Sequence, residues 1–182
     1  MNEPHDLTPE TSWFDMAQAS INAIREVDTN TLIMVGGNDR SSAERWIEQS
    51  DTLKYLKDPA NNLAFEAHVY FDKDASGTYK YSYEEEECYP EKGIDRVKPF
   101  VEWIKQNKFH GFIGEYGIPD NDPRWNETLD LFLGYLQENG INGTYWAAGP
   151  WWDSYFMAIT PKDGKDRPQM PIIEKYTSTL KK

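Results

Sequence analysis

The sequence predicts an α/β fold with parallel strands, on three observations. Apolar segments of strand length alternate strictly with segments whose apolar residues recur every three or four positions, from an opening helix to a closing one. One strand, Phe112-Ile113, runs into Glu115 between Gly111, Gly114 and Gly117, with Pro119 stopping the run. A carboxylate is costly to bury, so an acid at the end of a buried strand points to chemistry, and parallel barrels carry their chemistry at the carboxyl ends of strands. The pattern holds four strands where a closed barrel needs eight. The prediction is therefore a single segment, residues 1–182, forming about half of a (β/α)8 TIM barrel.

The elements follow in order. Thr8 is expected to cap a helix with Pro9 at its first position, and Trp13, Ala17, Ile21, Ile24 and Val27 mark its apolar face. Thr31–Val35 is continuous and partly β-branched, which predicts a strand buried on both faces. A short helix after Ser41 should turn Trp46 and Ile47 inward. The next strand is Leu63–Tyr70, whose period of two places Glu66, His68 and Tyr70 on one face. Polar groups so arranged suggest a polar interior or a site. The long loop Phe71–Gly93 is of a length that is functional or mobile, and its run Glu84–Glu87 is expected to be solvated.

Ile94, Val97, Val101 and Ile104 mark a third helix, and the strand ending at Glu115 follows it. Asp122-Pro123 should start a fourth helix, with Trp125, Leu129, Phe132 and Leu136 inward and Gly140 at its C-terminal cap. Asn142–Ala148 is the last strand, and Ile172–Leu180 the closing helix. Ile33, Phe65 and Ile113 are expected to face the barrel interior and, in a half-barrel, water, and the first and last strands leave open edges that invite a missing amino-terminal half, in cis or as a second chain, or a homodimer.

Composition excludes several classes. The 7 Trp, 11 Tyr and 8 Phe are too many for a disordered chain. A net charge of −12 repels phosphate backbones, so nucleic acid is not expected as a partner, whereas a neutral ligand is not penalised. The single cysteine, Cys88, allows no internal disulfide. No apolar run approaches the ~18 residues of a membrane span. Met1-Asn2-Glu3-Pro4 is polar from its second position, which is read as no signal peptide. His5, His68 and His110 have no paired metal-ligand spacing; His5-Asp6 beside Glu3 is the nearest to one, and a supporting role is preferred for it. No metal or cofactor is expected. Trp13, Trp46, Trp103 and Trp125 fall on helix faces and are assigned to the core. Trp146, Trp151 and Trp152 offer flat apolar surfaces to pyranose rings.

Four motifs on four successive elements then resemble glycoside hydrolase family 5, the cellulases: Asn2-Glu3-Pro4, His68-Val69-Tyr70, Gly114-Glu115-Tyr116-Gly117 and Tyr145-Trp146. The longer stretches Asn2–Asp6 and His68–Tyr79 resemble its endoglucanases. The resemblance implies a barrel running from the end of strand 4 to helix 8, and a retaining endo-β-1,4-glucanase. It implies Glu3 as the acid/base, Glu115 as the nucleophile, Asn2 on the sugar 2-hydroxyl, His68 and Tyr70 holding the carboxylates, and Trp146 under the sugar. It also implies a β-glucan substrate, and a secreted or periplasmic parent enzyme. The family uses an arginine and a histidine on earlier strands, which are not in this sequence. A β-mannanase, another β-glycanase, and a non-catalytic glycan-binding half-barrel are the alternatives.

Overall fold

The structure, a computed structural model, describes residues 1–8 and 10–177. The helices are α1 (Trp13–Arg25), α2 (Trp46–Ser50), α3 (Lys92–Asn107), α4 (Arg124–Glu138) and α5 (Met170–Tyr176). The strands are β1 (Ile33–Gly36), β2 (Leu63–Tyr70), β3 (His110–Gly117) and β4 (Asn142–Tyr145). They form one sheet in the order β1-β2-β3-β4, so β1 and β4 are its outer strands. β1 runs parallel to β2, with Ile33 opposite Leu63 and Gly36 opposite Glu66. Among the described residues no helix is long and apolar enough to cross a membrane.

The chain divides into two compact units. One holds residues 1–68 and 97–114, the other residues 69–96 and those from 115 onward.

In the first unit an aromatic cluster forms the core. Trp46, Phe65, Phe100 and Trp103 are all essentially buried. Trp46 meets Phe100 edge-on at 4.6 Å, and Phe65 meets Trp103 at 4.9 Å, the T-shaped geometry that aromatic quadrupoles favour. The Trp103 indole donates to Asp51 Oδ1 at 2.9 Å, so its one polar atom is satisfied. Nearby, Arg25 and Asp58 make a two-pronged ion pair at 2.7 and 3.0 Å, with side chains only 4% and 2% exposed. The remaining Arg25 donors reach the carbonyls of Asp28 and Thr31.

In the second unit, α4 buries Trp125, Leu129, Phe132 and Leu136 as its periodicity predicts. Tyr79 and Tyr83 pack edge-on to Trp125, at 5.0 and 4.7 Å. The loop after β2 is built on two buried carboxylates. Asp72 accepts from the amides of Gly77, Thr78 and Tyr79 and from the Ser76 hydroxyl. Glu86 accepts from the amides of Lys73 and Tyr81. The run Glu84–Glu87 is thus not wholly solvated, because Glu86 is only 3% exposed.

Several local expectations are corrected. Ser12, not Thr8, caps α1, accepting from the Asp15 amide; Pro9 lies outside the described residues. Ile24 and Val27 are exposed: the buried face of α1 is Trp13, Ala17, Ile21 and Arg25, one residue off Ile24, and Val27 lies beyond the end of the helix. Ile47 is half exposed, with Trp46 alone filling the core. The first strand is Ile33–Gly36 and lies at the sheet edge, so Met34 is exposed and the strand is not buried on both faces. Phe65 and Ile113 do not face water: both are buried. On β2 the reason is parity, for with Glu66, His68 and Tyr70 on one face, Phe65 must point to the other. The last strand stops at Tyr145, and the closing helix is Met170–Tyr176, with residues 178–180 outside the described range.

Candidate active site

The first unit carries the Glu3 side of the site. Glu3 sits in a bend with a left-handed φ of 47°, and its side chain is 33% exposed. His68, on β2, is buried, with Nδ1 2.8 Å from Glu3 Oε1. Its other nitrogen, Nε2, lies 2.7 Å from Glu66 Oε1. The bond from His68 holds the Glu3 carboxyl below the usual carboxylate range, against the opposing pull of its burial, and the charge of Arg40 acts in the same direction. Asn2, next to Glu3 in the chain, is exposed. His5 Nδ1 lies 2.7 Å from Asp6 Oδ2, and its charge acts on Glu3 in the same lowering direction as Arg40.

The second unit carries the Glu115 side. The Tyr70 hydroxyl, at the end of β2, donates to Glu115 Oε2 at 2.9 Å. Burial, and then the Glu115 charge, push the Tyr70 hydroxyl well above its ordinary range, so it remains a donor at any working pH. Arg96 fixes the same strand end by donating to the Tyr70 carbonyl. Trp146 follows β4, its amide donating to the Tyr116 carbonyl at 2.8 Å, and is partly exposed. It meets Trp152 at 4.9 Å, and Trp152 meets Tyr155 at 5.0 Å. Burial raises the Tyr155 hydroxyl, a hydrogen bond from Trp146 opposes that, and the Glu115 charge adds to the rise. Trp151 stands 89% exposed beyond this group.

The predicted residues therefore fall into two sets, Glu3 with His68 and Glu115 with Tyr70, and β2 supplies one partner to each. The first is a carboxyl coupled to an imidazole that favours its charged form, the state that accepts a proton; the second is a carboxylate steadied by a neutral donor, the state that attacks. Two contributors were not singled out from the sequence. The face it shares with His68 was a signal for Glu66. Tyr155 had none, because its place depends on how the loop after β4 folds back.

This arrangement sits on a chain with close relatives. The profile of glycosyl hydrolase family 5, described as Cellulase, matches residues 1–151. Endo-beta-1,4-glucanase B of Emericella nidulans is 37% identical over 168 residues, covering 90% of this chain and 49% of that protein. Endoglucanase 3 of Humicola insolens is 34% identical, over 90% of this chain and 41% of its own length. Among solved structures, Pseudomonas stutzeri endoglucanase Cel5A in complex with cellobiose superimposes with a TM-score of 0.89 at 43% identity, over 98% of this chain and 53% of that one. The chain thus spans about half the length of the relatives it matches, and its alternating strands and helices are part of their (β/α)8 barrel. By profile, identity and fold alike, the chain belongs to glycosyl hydrolase family 5.

Proposed function

We propose that residues 1–182 are one segment, the carboxyl-terminal half of the catalytic domain of a retaining endo-β-1,4-glucanase. The observation that carries this is the separate provision for two glutamates: His68 on Glu3 and Tyr70 on Glu115. Retaining hydrolysis requires one carboxyl that gives and takes a proton and one that attacks, about 5–5.5 Å apart. In this reading Glu115 attacks the anomeric carbon and forms the glycosyl ester, while Glu3 protonates the departing oxygen as the C–O bond breaks. Glu3 then takes a proton from water, whose oxygen displaces Glu115 with a second inversion. Asn2 bonds the 2-hydroxyl, and Trp146, backed by Trp152, stacks under the sugar. The substrate is a β-1,4-glucan, as the cellobiose complex of the Pseudomonas relative supports. The other half of the barrel supplies the arginine and histidine that the family takes from earlier strands.

The test is the stereochemistry of hydrolysis by the intact protein. Proton NMR of the first products from a cello-oligosaccharide should show the β-anomer before mutarotation. An α-anomer overturns the double displacement, and the absence of cleavage of any β-glucan overturns the glycosidase reading.

A further inference from the structure

Glu66 has no role in the reaction as described, yet the sheet is hollowed out around its carboxylate. On β1 the residue in register with it is Gly36. A Cβ at Gly36 would stand 2.8 Å from Ser41 Oγ and 3.3 Å from Glu66 Oε2, so this glycine clears both. On β3 the neighbour is Gly114, where a Cβ would stand 1.8 Å from Glu66 Oε1 and 2.6 Å from its Cδ. No side chain fits at Gly114 while Glu66 keeps its place. Both flanking glycines have ordinary φ, so the space and not the backbone requires them. Glu66 is 15% exposed, in contact with His68 Nε2 at 2.7 Å, while His68 Nδ1 meets Glu3 at 2.8 Å.

The protons can be counted. A neutral imidazole donates through one nitrogen and accepts through the other; only the doubly protonated ring donates through both. Two carboxylate oxygens at hydrogen-bond distance, one at each nitrogen, fit the doubly protonated ring, and the Glu66 charge offsets the cost of holding that cation in a buried place.

We propose that Glu66 is a positioning residue for the acid/base: its carboxylate keeps both His68 nitrogens as donors, so that Nδ1–H holds Glu3 Oε1 and leaves Oε2 to carry the transferred proton. The inference rests on reading Glu3 as the acid/base. In the first step the proton leaves Glu3 Oε2 for the glycosidic oxygen, which keeps the electron pair of the breaking C–O bond. Glu3 is left as a carboxylate still accepting from Nδ1–H. A neutral ring has one N–H to share between Glu3 and residue 66, and in the tautomer protonated at Nε2 the hold on Glu3 is lost.

Glu66→Gln in the intact protein tests this, because it keeps the size and removes the charge. For a cello-oligosaccharide, whose leaving group is a sugar hydroxyl, kcat should fall about tenfold or more, a fraction of the 10²–10⁴ that general acid catalysis supplies. KM for the oligosaccharide should hold, and kcat/KM for an aryl β-cellobioside with a good leaving group, which reports the first step alone, should change little. Nitrogen NMR of labelled histidine should show His68 protonated on both nitrogens in the parent and on one in Glu66→Gln. Gly114→Ala, which displaces the Glu66 carboxylate, should reproduce both effects. An equal loss on both substrates, no loss, or a His68 ring that is neutral in the parent overturns the proposal. If the intact protein cleaves no β-glucan, the glycosidase reading fails by itself, while the nitrogen spectra still decide whether Glu66 charges the ring.

Discussion

The Tyr70 hydroxyl donates to Glu115 Oε2 across 2.9 Å, from the last residue of β2 to a residue near the end of β3. That bond fixes one oxygen of the carboxylate against β2. Glu115→Gln in the intact protein should lower kcat on the order of 10⁴-fold or more, as loss of a nucleophile does. A 2-fluoro-glycoside should label Glu115 and be found there by peptide mass. Label on another residue sinks the assignment. Tyr70→Phe should lower kcat by about 10²–10³, the scale of losing one preorganised donor.

Glu3 differs in being tied to an imidazole. Its first task is to protonate the departing oxygen, so Glu3→Ala should lose most on substrates with poor leaving groups. Azide should restore turnover on an activated substrate and yield a β-glycosyl azide, because the cavity left by the side chain admits an anion that needs no base. Equal losses on all leaving groups without azide rescue would remove Glu3 from the role.

The Arg25–Asp58 pair makes a prediction about acid stability. Its hydrogen bonds from Arg25 hold the Asp58 carboxyl well below the usual Asp range. A depressed carboxyl stabilises the fold above its unfolded pKa of about 4, and that contribution fades as pH falls from there through the folded value. Urea midpoints should therefore decline from about pH 4 downward. Asp58→Asn should be less stable at neutral pH, since it leaves a buried guanidinium unpaired, and should show a shallower decline below pH 4. Parallel pH profiles for the two proteins would refute the assignment.

Much of this was legible in the sequence because period and position are local properties. The alternation of elements, the span Leu63–Tyr70 and the inward face of α4 follow from spacing alone. So does the common face of Glu66, His68 and Tyr70. What failed depends on tertiary closure. Phe65 is buried because helices cover the face opposite His68, which period two cannot reveal. Glu86 is buried because the loop after β2 folds around it, although its neighbours in the acidic run are solvated. The clearance between Gly114 and Glu66 joins residues 48 positions apart, and only the strand register brings them together.

The last prediction concerns the sheet edges. Among the described residues β1 and β4 are the outer strands of the sheet, and an outer strand is where a further strand can add. Beside β4 lies a groove of about 1020 Å³ lined by Tyr116, Leu136, Ile141, Tyr145, Ile159 and Ile173. Gln137, Asn142 and Lys175 line the same groove, so an outer strand beside this mixed polar and apolar surface offers both backbone pairing and side-chain contacts to a further strand. In the relatives the chain accounts for about half the length, which leaves a partner segment of comparable size. The expected outcome is that residues 1–182 associate, either with an amino-terminal half-barrel added as a separate chain or, without it, with a second copy. Light scattering should show a 1:1 complex in the first case and a dimer in the second. On the proposed function, endoglucanase activity should appear only with the amino-terminal half. A stable monomer with full activity refutes the prediction, and would mean that this sheet needs no partner at either edge.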